Sequence, residues 1–265
     1  MQRIEVSTLE FLCIEPRGKA TVEKFWVSDN NVEKLVKISE NNDQDLMEYL
    51  SSIILKKLNI SCVEVELGYD SLARKNCCLV TSFLTDKADV SYDIYDCEII
   101  RDKDEEKELD LCFKQVFNKF SNLYMVTNFE LLKKEYIRIL FGKCLTDNID
   151  SKLENIGLIF NEKTKQYRLP PSYDNGLSFN NFKSLGTKYC CVGKQYFETT
   201  KIIDYILTNY FEIVEDIITN LNDLNNELNS ILEGFEIIPE KKKYILNYMK
   251  DTEQYINSKK VIRCK

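Results

Sequence analysis

The first third of the chain places short apolar runs between clusters of turn-forming residues, a pattern typical of a small antiparallel sheet. Residues 21–27 and 34–38 carry β-branched and aromatic side chains, and the polar residues 28–31 between them favour a tight turn. This pattern predicts a β-hairpin. Two more strands are predicted at residues 62–67 and 77–84, where apolar side chains again dominate.

Helical periodicity begins in residues 45–58 and dominates the chain beyond about residue 86. In that first segment apolar side chains recur every three or four positions: Leu46, Leu50, Ile53, Ile54 and Leu58. Residues 111–124, 128–141 and 201–232 predict further helices, and the charged residues 102–110 predict a solvated helix start or a loop. A sheet with one helix, followed by a run of helices, predicts an α+β fold.

Residues 145–179 interrupt the helical pattern with a polar loop and a second hairpin. Apolar runs at 156–160 and 166–169 predict the two strands of this hairpin. Two prolines then lead into an Asp-Asn-Gly turn at residues 174–176. The hairpin is therefore expected to carry a polar cluster at each end.

The composition excludes much of the usual catalytic chemistry, because the 265 residues include no histidine. Ser-His-Asp triads, Cys-His dyads and HExxH zinc sites are therefore absent. Lysine and arginine number 36 against 43 aspartates and glutamates, a formal net charge of −7. This acidic balance argues against direct nucleic-acid binding, which depends on clustered basic residues.

The ten cysteines have no C-x-x-C spacing, and the vicinal pairs Cys77-Cys78 and Cys190-Cys191 suit neither zinc nor a disulfide. The amino terminus lacks the continuous apolar core of a signal peptide. No apolar run approaches the roughly 20 residues of a membrane span. These features predict a cytoplasmic protein with reduced thiols and no membrane association.

One group of residues has the composition that phosphoryl transfer requires. Asp150 and Asn155 have the spacing D-x-x-x-x-N, and Asp174 opens the Asp-Asn-Gly turn after the next hairpin. One carboxylate can accept the proton of an attacking hydroxyl, while an amide and a second carboxylate can hold Mg²⁺ on nucleotide phosphates. Each element alone is more often a turn or a cap, but their order along the chain favours this chemistry.

A lysine in an apolar strand adds to this pattern. Lys37 is expected to be buried, where an ammonium is costly unless it is paired, and Glu48 on the following helix is its natural partner. The alternative is a lysine on the solvent face of an edge strand. Lys34 and Lys24 are rival candidates for the same role.

These stretches together resemble the HipA-like serine/threonine protein kinases, in the compact form with only the kinase core. The resemblance covers most of residues 17–180 and rests on GKATVEKFWV, KLVKI, the helix with Glu48, LTDNIDSKLENIGLIF and YRLPPSYDNGLSF. It implies a two-lobed, protein-kinase-like fold. Residues 1–86 would form a lobe with a small antiparallel sheet and a helix, and residues 87–265 a mainly helical C-terminal lobe.

The resemblance also implies a role for each residue of the group. Asp150 would be the catalytic base, and Asn155 and Asp174 would be the ligands of Mg²⁺. Lys37 and Glu48 occupy the positions of the ion pair that anchors ATP in this family.

The resemblance also assigns roles to two flanking segments, and the sequence differs from the family at one position of the catalytic loop. Gly18 and Lys19 would belong to the loop that covers the phosphates, and Thr21 is a candidate autophosphorylation site. Residues 176–194 fit an activation-type segment, with a surface loop as the alternative. Lys152 stands where the family often has histidine, close to the expected position of the phosphates.

The sequence therefore predicts an ATP- and Mg²⁺-dependent kinase that transfers the γ-phosphate to a serine or threonine of a protein substrate. The resemblance further implies a toxin with an antitoxin-like protein partner and a component of translation as substrate. Two alternatives stay open. One is a pseudokinase or partner-binding module of the same fold, and the other is a kinase for a small-molecule or lipid hydroxyl.

Overall fold

A computed structural model describes residues 1–14, 16, 23–39, 43–92, 105–123, 126–152, 155–180, 185–193 and 195–263. Its strands are β1 (Ile4–Glu5), β2 (Glu10–Leu12), β3 (Lys24–Asp29), β4 (Val32–Ile38), β5 (Val65–Asp70), β6 (Lys75–Thr81), β7 (Asp89–Tyr92), β8 (Leu158–Asn161), β9 (Gln166–Arg168), β10 (Tyr189–Val192) and β11 (Gln195–Glu198). Its helices are α1 (Gln44–Lys57), α2 (Glu105–Ser121), α3 (Phe129–Leu145), α4 (Thr199–Asn209), α5 (Phe211–Glu233) and α6 (Pro239–Arg263).

The amino-terminal lobe is built on a six-stranded sheet with the order β1-β5-β6-β4-β3-β2. The predicted hairpin is β3–β4, and its turn residues Asn30 and Asn31 both have positive φ, at 52° and 65°. That conformation suits a two-residue hairpin turn and is tolerated by asparagine. Along β4 the side chains alternate, so that Val36 faces the opposite side of the sheet from Lys37.

Helix α1 joins the two lobes, because it packs on the sheet and also enters the core of the helical lobe. Leu46, Met47 and Leu50 belong to the same buried cluster as residues of α3 and α5. At the end of that core Tyr49 contacts Phe235, with ring centroids 5.8 Å apart. The helix that carries Glu48 is thus fixed from both sides.

The helical lobe departs from its sequence pattern at Tyr210. Residues 201–232 are predicted as one helical region but form two helices that meet at Tyr210. The φ of Tyr210 is −141°, which is not a helical value, so the helix is interrupted there. The ring of Tyr210 packs edge-on against Phe117, 6.0 Å between centroids. Packing of an aromatic side chain has therefore overridden the helical periodicity.

Part of residues 176–194, predicted as an activation-type segment with a surface loop as the alternative, forms regular structure. Residues 185–187 form a single 3₁₀ turn, and β10 and β11 form a hairpin. Cys190, Cys191 and Val192 are buried there. The eight described cysteines form no disulfide. Within the described ranges no helix is long and apolar enough to cross a membrane.

Candidate active site

Three predicted residues from distant parts of the chain meet in the cleft between the lobes. The Lys37 Nζ lies 2.8 Å from Asp174 Oδ1 and 3.3 Å from Glu48 Oε2. Glu48 is almost completely buried, with 2% of its side chain exposed, whereas Asp174 is 34% exposed. One ammonium therefore joins a strand, a helix and the Asp-Asn-Gly turn.

The structure separates Lys37 from the two rival lysines. Lys34 lies on the other face of β4 and pairs with Asp29 and Glu66. Lys24 is the direct cross-strand neighbour of Lys37 in β3, so it shares the face of the sheet that looks into the cleft. Of the three lysines, Lys37 is the one whose ammonium contacts Asp174.

Lys37 and Asp174 stabilise each other's charged form. Burial would lower the pKa of Lys37, but Glu48 and Asp174 together raise that pKa above its usual value. The Lys37 ammonium in turn holds the pKa of Asp174 well below its usual range. Lys37 and Asp174 thus each favour the charged form of the other, and two carboxyl groups lie around one ammonium.

Glu48 also fixes the backbone of the Asp-Asn-Gly turn. Its Oε1 accepts a hydrogen bond from the Asn175 N–H at 2.9 Å. Asp174 has φ of 58°, a left-handed conformation that such a turn requires. A Cβ on Gly176 would lie 3.3 Å from Glu48 Oε2, so glycine allows the turn to approach the carboxylate closely.

The loop after α3 holds the second predicted pair. The Asn155 Nδ2 donates to Asp150 Oδ2 at 2.8 Å and to the Asp150 carbonyl at 3.1 Å. The Lys152 Nζ lies 3.4 Å from Asp150 Oδ1, and this carboxylate raises the pKa of Lys152. Two groups therefore orient the carboxylate of Asp150 at the edge of the cleft.

Asn148 connects the two halves of the site. Its Nδ2 donates to the Asp174 carbonyl at 3.3 Å and to Asn175 Oδ1 at 3.2 Å. Its Oδ1 accepts from the Asp150 N–H at 2.9 Å. The loop with Asp150 and the turn with Asp174 are thereby joined through a single buried amide.

A buried lysine near the cleft was not found from the sequence. Lys143 on α3 is fully buried and donates to the Tyr173 carbonyl at 2.7 Å, directly before Asp174. Burial lowers the pKa of Lys143, and the nearby carboxylates of Asp174 and Glu48 partly offset that effect. Its position within the apolar run LFGKCL is a signal that could have drawn attention to it.

The face of the sheet around Lys37 also has an apolar part. In the strand register Trp26, Leu35 and Val80 lie side by side on the face that carries Lys37. Below them Phe83 contacts Tyr173, with ring centroids 5.3 Å apart. A flat aromatic group could bind there with charged substituents directed towards Lys37.

The oxygen groups of the cleft suit a magnesium ion shared with phosphates. Asn155 and Asp174 offer amide and carboxylate oxygens, and no described group donates to Asn155 Oδ1 or to Asp174 Oδ2. The described residues contain no group of three or more Asp, Glu or Cys side chains that could hold a metal alone. Mg²⁺ commonly takes one or two protein ligands and completes its shell with phosphate and water, so the donor set fits.

The predicted phosphate-covering loop lies outside the described residues. Gly18, Lys19 and Thr21 fall in this part of the chain, so their roles stay predictions.

The fold is similar to that of solved kinases, HipA among them. The crystal structure of a Helicobacter pylori proinflammatory kinase, CtkA, matches with a TM-score of 0.72 over 100% of both chains, at 15% sequence identity. HipA of Shewanella oneidensis MR-1, solved with HipB and operator DNA, matches with a TM-score of 0.56 at 12% identity. That match covers 94% of this chain and 65% of HipA.

At these identities the likeness concerns the fold. No family model and no curated protein sequence matches the chain. The two-lobed kinase fold predicted from the motifs is confirmed.

Proposed function

We propose that this protein is an ATP- and Mg²⁺-dependent protein kinase that transfers the γ-phosphate of ATP to a serine or threonine hydroxyl. The observation that carries the proposal is the contact of Lys37 with both Glu48 and Asp174. Asn148 links this group to the Asp150–Asn155 pair. This combination of an anchored ammonium, two metal-binding oxygens and an oriented carboxylate is what phosphoryl transfer needs.

Each residue has a role that follows from its surroundings. Lys37 binds the α- and β-phosphates and is kept charged by Glu48. Asp150 accepts the proton of the acceptor hydroxyl, and its orientation is set by Asn155. Asn155 and Asp174 would hold Mg²⁺, which would supply positive charge where negative charge develops on the transferred group.

Lys152 contributes a further positive charge on the acceptor side of the cleft. Its ammonium lies within reach of Asp150 and is 46% exposed, so it can also approach an entering phosphate. An ammonium in that position offsets charge without itself transferring a proton. The family's histidine is therefore replaced by a group that stays charged throughout the neutral pH range.

The biological setting is proposed from the resemblance in sequence and fold. We infer a protein substrate in the cytoplasm, with a component of translation as the first class to test, and an antitoxin-like protein as partner. The HipA neighbour was solved together with HipB, which supports the search for such a partner. Thr21 is proposed as the autophosphorylation site.

The decisive experiment combines labelled ATP and Mg²⁺ with the protein, with and without generic protein substrates. Replacing Asp150 by asparagine should lower phosphate transfer by about 10²- to 10⁴-fold while ATP binding persists, because only the base is lost. Asp223→Asn on the exposed surface of α5 is the matched control. Equal turnover in Asp150→Asn and wild type would contradict the assignment.

The same assay separates the two alternatives. Label transferred to metabolites or lipids, and never to protein, would favour a small-molecule kinase. ATP binding without any transfer would favour a pseudokinase that serves as a partner-binding module. Mass spectrometry after incubation with Mg-ATP tests Thr21, which must carry phosphate if the autophosphorylation proposal is right.

A further inference from the structure

A buried ion pair lies three residues before Asp150 and contributes no group to the cleft. The Lys188 ammonium contacts Asp147 Oδ2, and each side chain is only 1% exposed. The Tyr244 hydroxyl donates to the same oxygen at 2.6 Å, and its ring lies 4.9 Å from the ammonium. Asp147 thus connects the loop to residues that lie far along the chain.

A second buried contact lies directly after Asp150. The Ser151 hydroxyl donates to the Cys191 carbonyl at 2.7 Å and accepts from the Cys191 N–H at 2.8 Å. Ser151 is fully buried. One hydroxyl therefore satisfies both backbone groups of Cys191.

Both contacts reach the same short stretch, residues 188–191, which we call the anchor strand. The loop is fixed to it on both sides of Asp150, at Asp147 and at Ser151. Asp150 lies between these two points with its carboxylate partly exposed to the cleft. The placement of its carboxylate is thus tied to the position of the anchor strand.

Fold stability alone does not explain the ion pair. A buried pair of charges commonly stabilises no more than an apolar pair of similar size, because desolvation offsets the attraction. Asp147 has φ of 49°, and its Oδ1 is buried with no hydrogen-bond partner among the described residues. What such a pair does provide is one defined position for the groups that it joins.

We propose that Lys188 and Ser151 are positioning residues, which set the catalytic geometry of Asp150 through the anchor strand without contacting nucleotide or acceptor. The proposal rests on the proposed function, in which Asp150 is the base. It adds a regulatory route, because the anchor strand lies within residues 176–194, the segment that fits an activation-type segment. A change in that segment would reach Asp150 through Lys188.

The test uses Ser151→Ala and the double variant Asp147→Asn with Lys188→Met. The double variant removes both charges together, so that no unpaired charge is left in the core. We expect kcat to fall by about 10- to 100-fold in each, since misplacement by about 1 Å costs this much. KM for ATP should stay within about twofold, because neither variant touches Lys37 or Glu48.

Thr252→Val is the matched control, since it removes a buried hydroxyl that donates to the Tyr248 carbonyl at 2.7 Å within α6. Its kcat should equal that of the wild type. A folded Ser151→Ala variant with wild-type kcat would overturn the proposal. A rise in KM for ATP that accompanies the fall in kcat would also overturn the proposal, since it would show that the variant disturbs the whole cleft.

Hydrogen exchange provides a readout that does not depend on activity. Amides of residues 146–151 should exchange faster in Ser151→Ala and in the double variant than in Thr252→Val. Unchanged exchange would refute the anchoring itself. If the wild type transfers no phosphate, the proposed function fails, and the exchange result still decides whether the anchor strand fixes this loop.

Discussion

Replacing Lys37 by methionine removes the ammonium that contacts both Glu48 and Asp174 and leaves a buried carboxylate without its direct ion-pair partner. At an effective dielectric of about 20, Coulomb's law gives roughly 5 kcal/mol for the 3.3 Å contact with Glu48 and roughly 6 kcal/mol for the 2.8 Å contact with Asp174. These are gross attractions. Breaking a buried pair typically costs a net 3 to 5 kcal/mol.

The two carboxylates do not share this cost equally. Asp174 is about one third exposed, so water can hydrate it after the lysine is lost, and its contribution is discounted accordingly. Glu48 has no such access. We therefore expect Lys37→Met to lower the free energy of unfolding by about 3 kcal/mol at pH 7.

The difference in the free energy of unfolding between wild type and Lys37→Met should depend on pH in a defined direction. Because the Asp174 pKa is lowered in the folded state, its contribution is present above its unfolded value of about 4 and is lost as the pH falls further. Because the Lys37 pKa is raised, its contribution is present below about pH 10 and is lost at higher pH. The stability gap between wild type and Lys37→Met should be widest from about pH 5 to 9 and shrink towards pH 3.

Urea unfolding followed by the fluorescence of Trp26, the single tryptophan, measures this gap. Adding Glu48→Gln to Lys37→Met should recover about 1 to 2 kcal/mol, because glutamine keeps an acceptor for the backbone and removes the unpaired charge. Lys57→Met is the control and should cost less than about 1 kcal/mol, because Lys57 and its partner Glu227 are both exposed. No recovery in the double variant, or a gap independent of pH, would refute the reasoning.

Two further predictions concern the position of α1. Gly176→Ala should lower phosphate transfer several-fold, because the added Cβ would press on Glu48. Gly186→Ala is the control and should leave phosphate transfer unchanged, because no atom lies within 4 Å of the added Cβ. Equal effects of the two variants in steady-state assays would contradict this prediction. Lys241→Met should lower the melting temperature, because the Lys241 ammonium, almost buried, lies 2.9 Å from Asp43 at the start of α1. The expected loss is about 1 to 2 kcal/mol by calorimetry, and an unchanged transition would show that this contact does not hold the helix.

The sequence predicts the parts of the site that depend on local periodicity. Alternation along β4 places Lys37 on the face opposite Val36, and the helical spacing around Glu48 directs the apolar side of α1 into the core. The spacing of Asp150 and Asn155 also survives in the structure as a hydrogen-bonded pair. In each of these cases neighbouring residues alone determine the arrangement.

Contacts between distant segments leave no such periodic signal. Ser151 and Cys191 are 40 residues apart, and nothing in either segment indicates the other. The buried strand β10 was not predicted because its run YCCV is short and lies between polar residues. Lys143 was likewise missed, since the predicted helix ended at residue 141 and the apolar run around this lysine was not read as part of it.

The unequal exposure of Glu48 and Asp174 bears on how the cleft would accept a nucleotide. Lys37 cannot hold two carboxylates and two phosphates at once, so one contact has to open when ATP enters. Glu48 is buried and also bonded to the Asn175 N–H, which makes it the permanent partner. Asp174 is the exposed one, and its carboxylate is also the group suited to Mg²⁺. On the proposed function, metal and phosphate would therefore enter together, because the metal takes the carboxylate that the lysine releases.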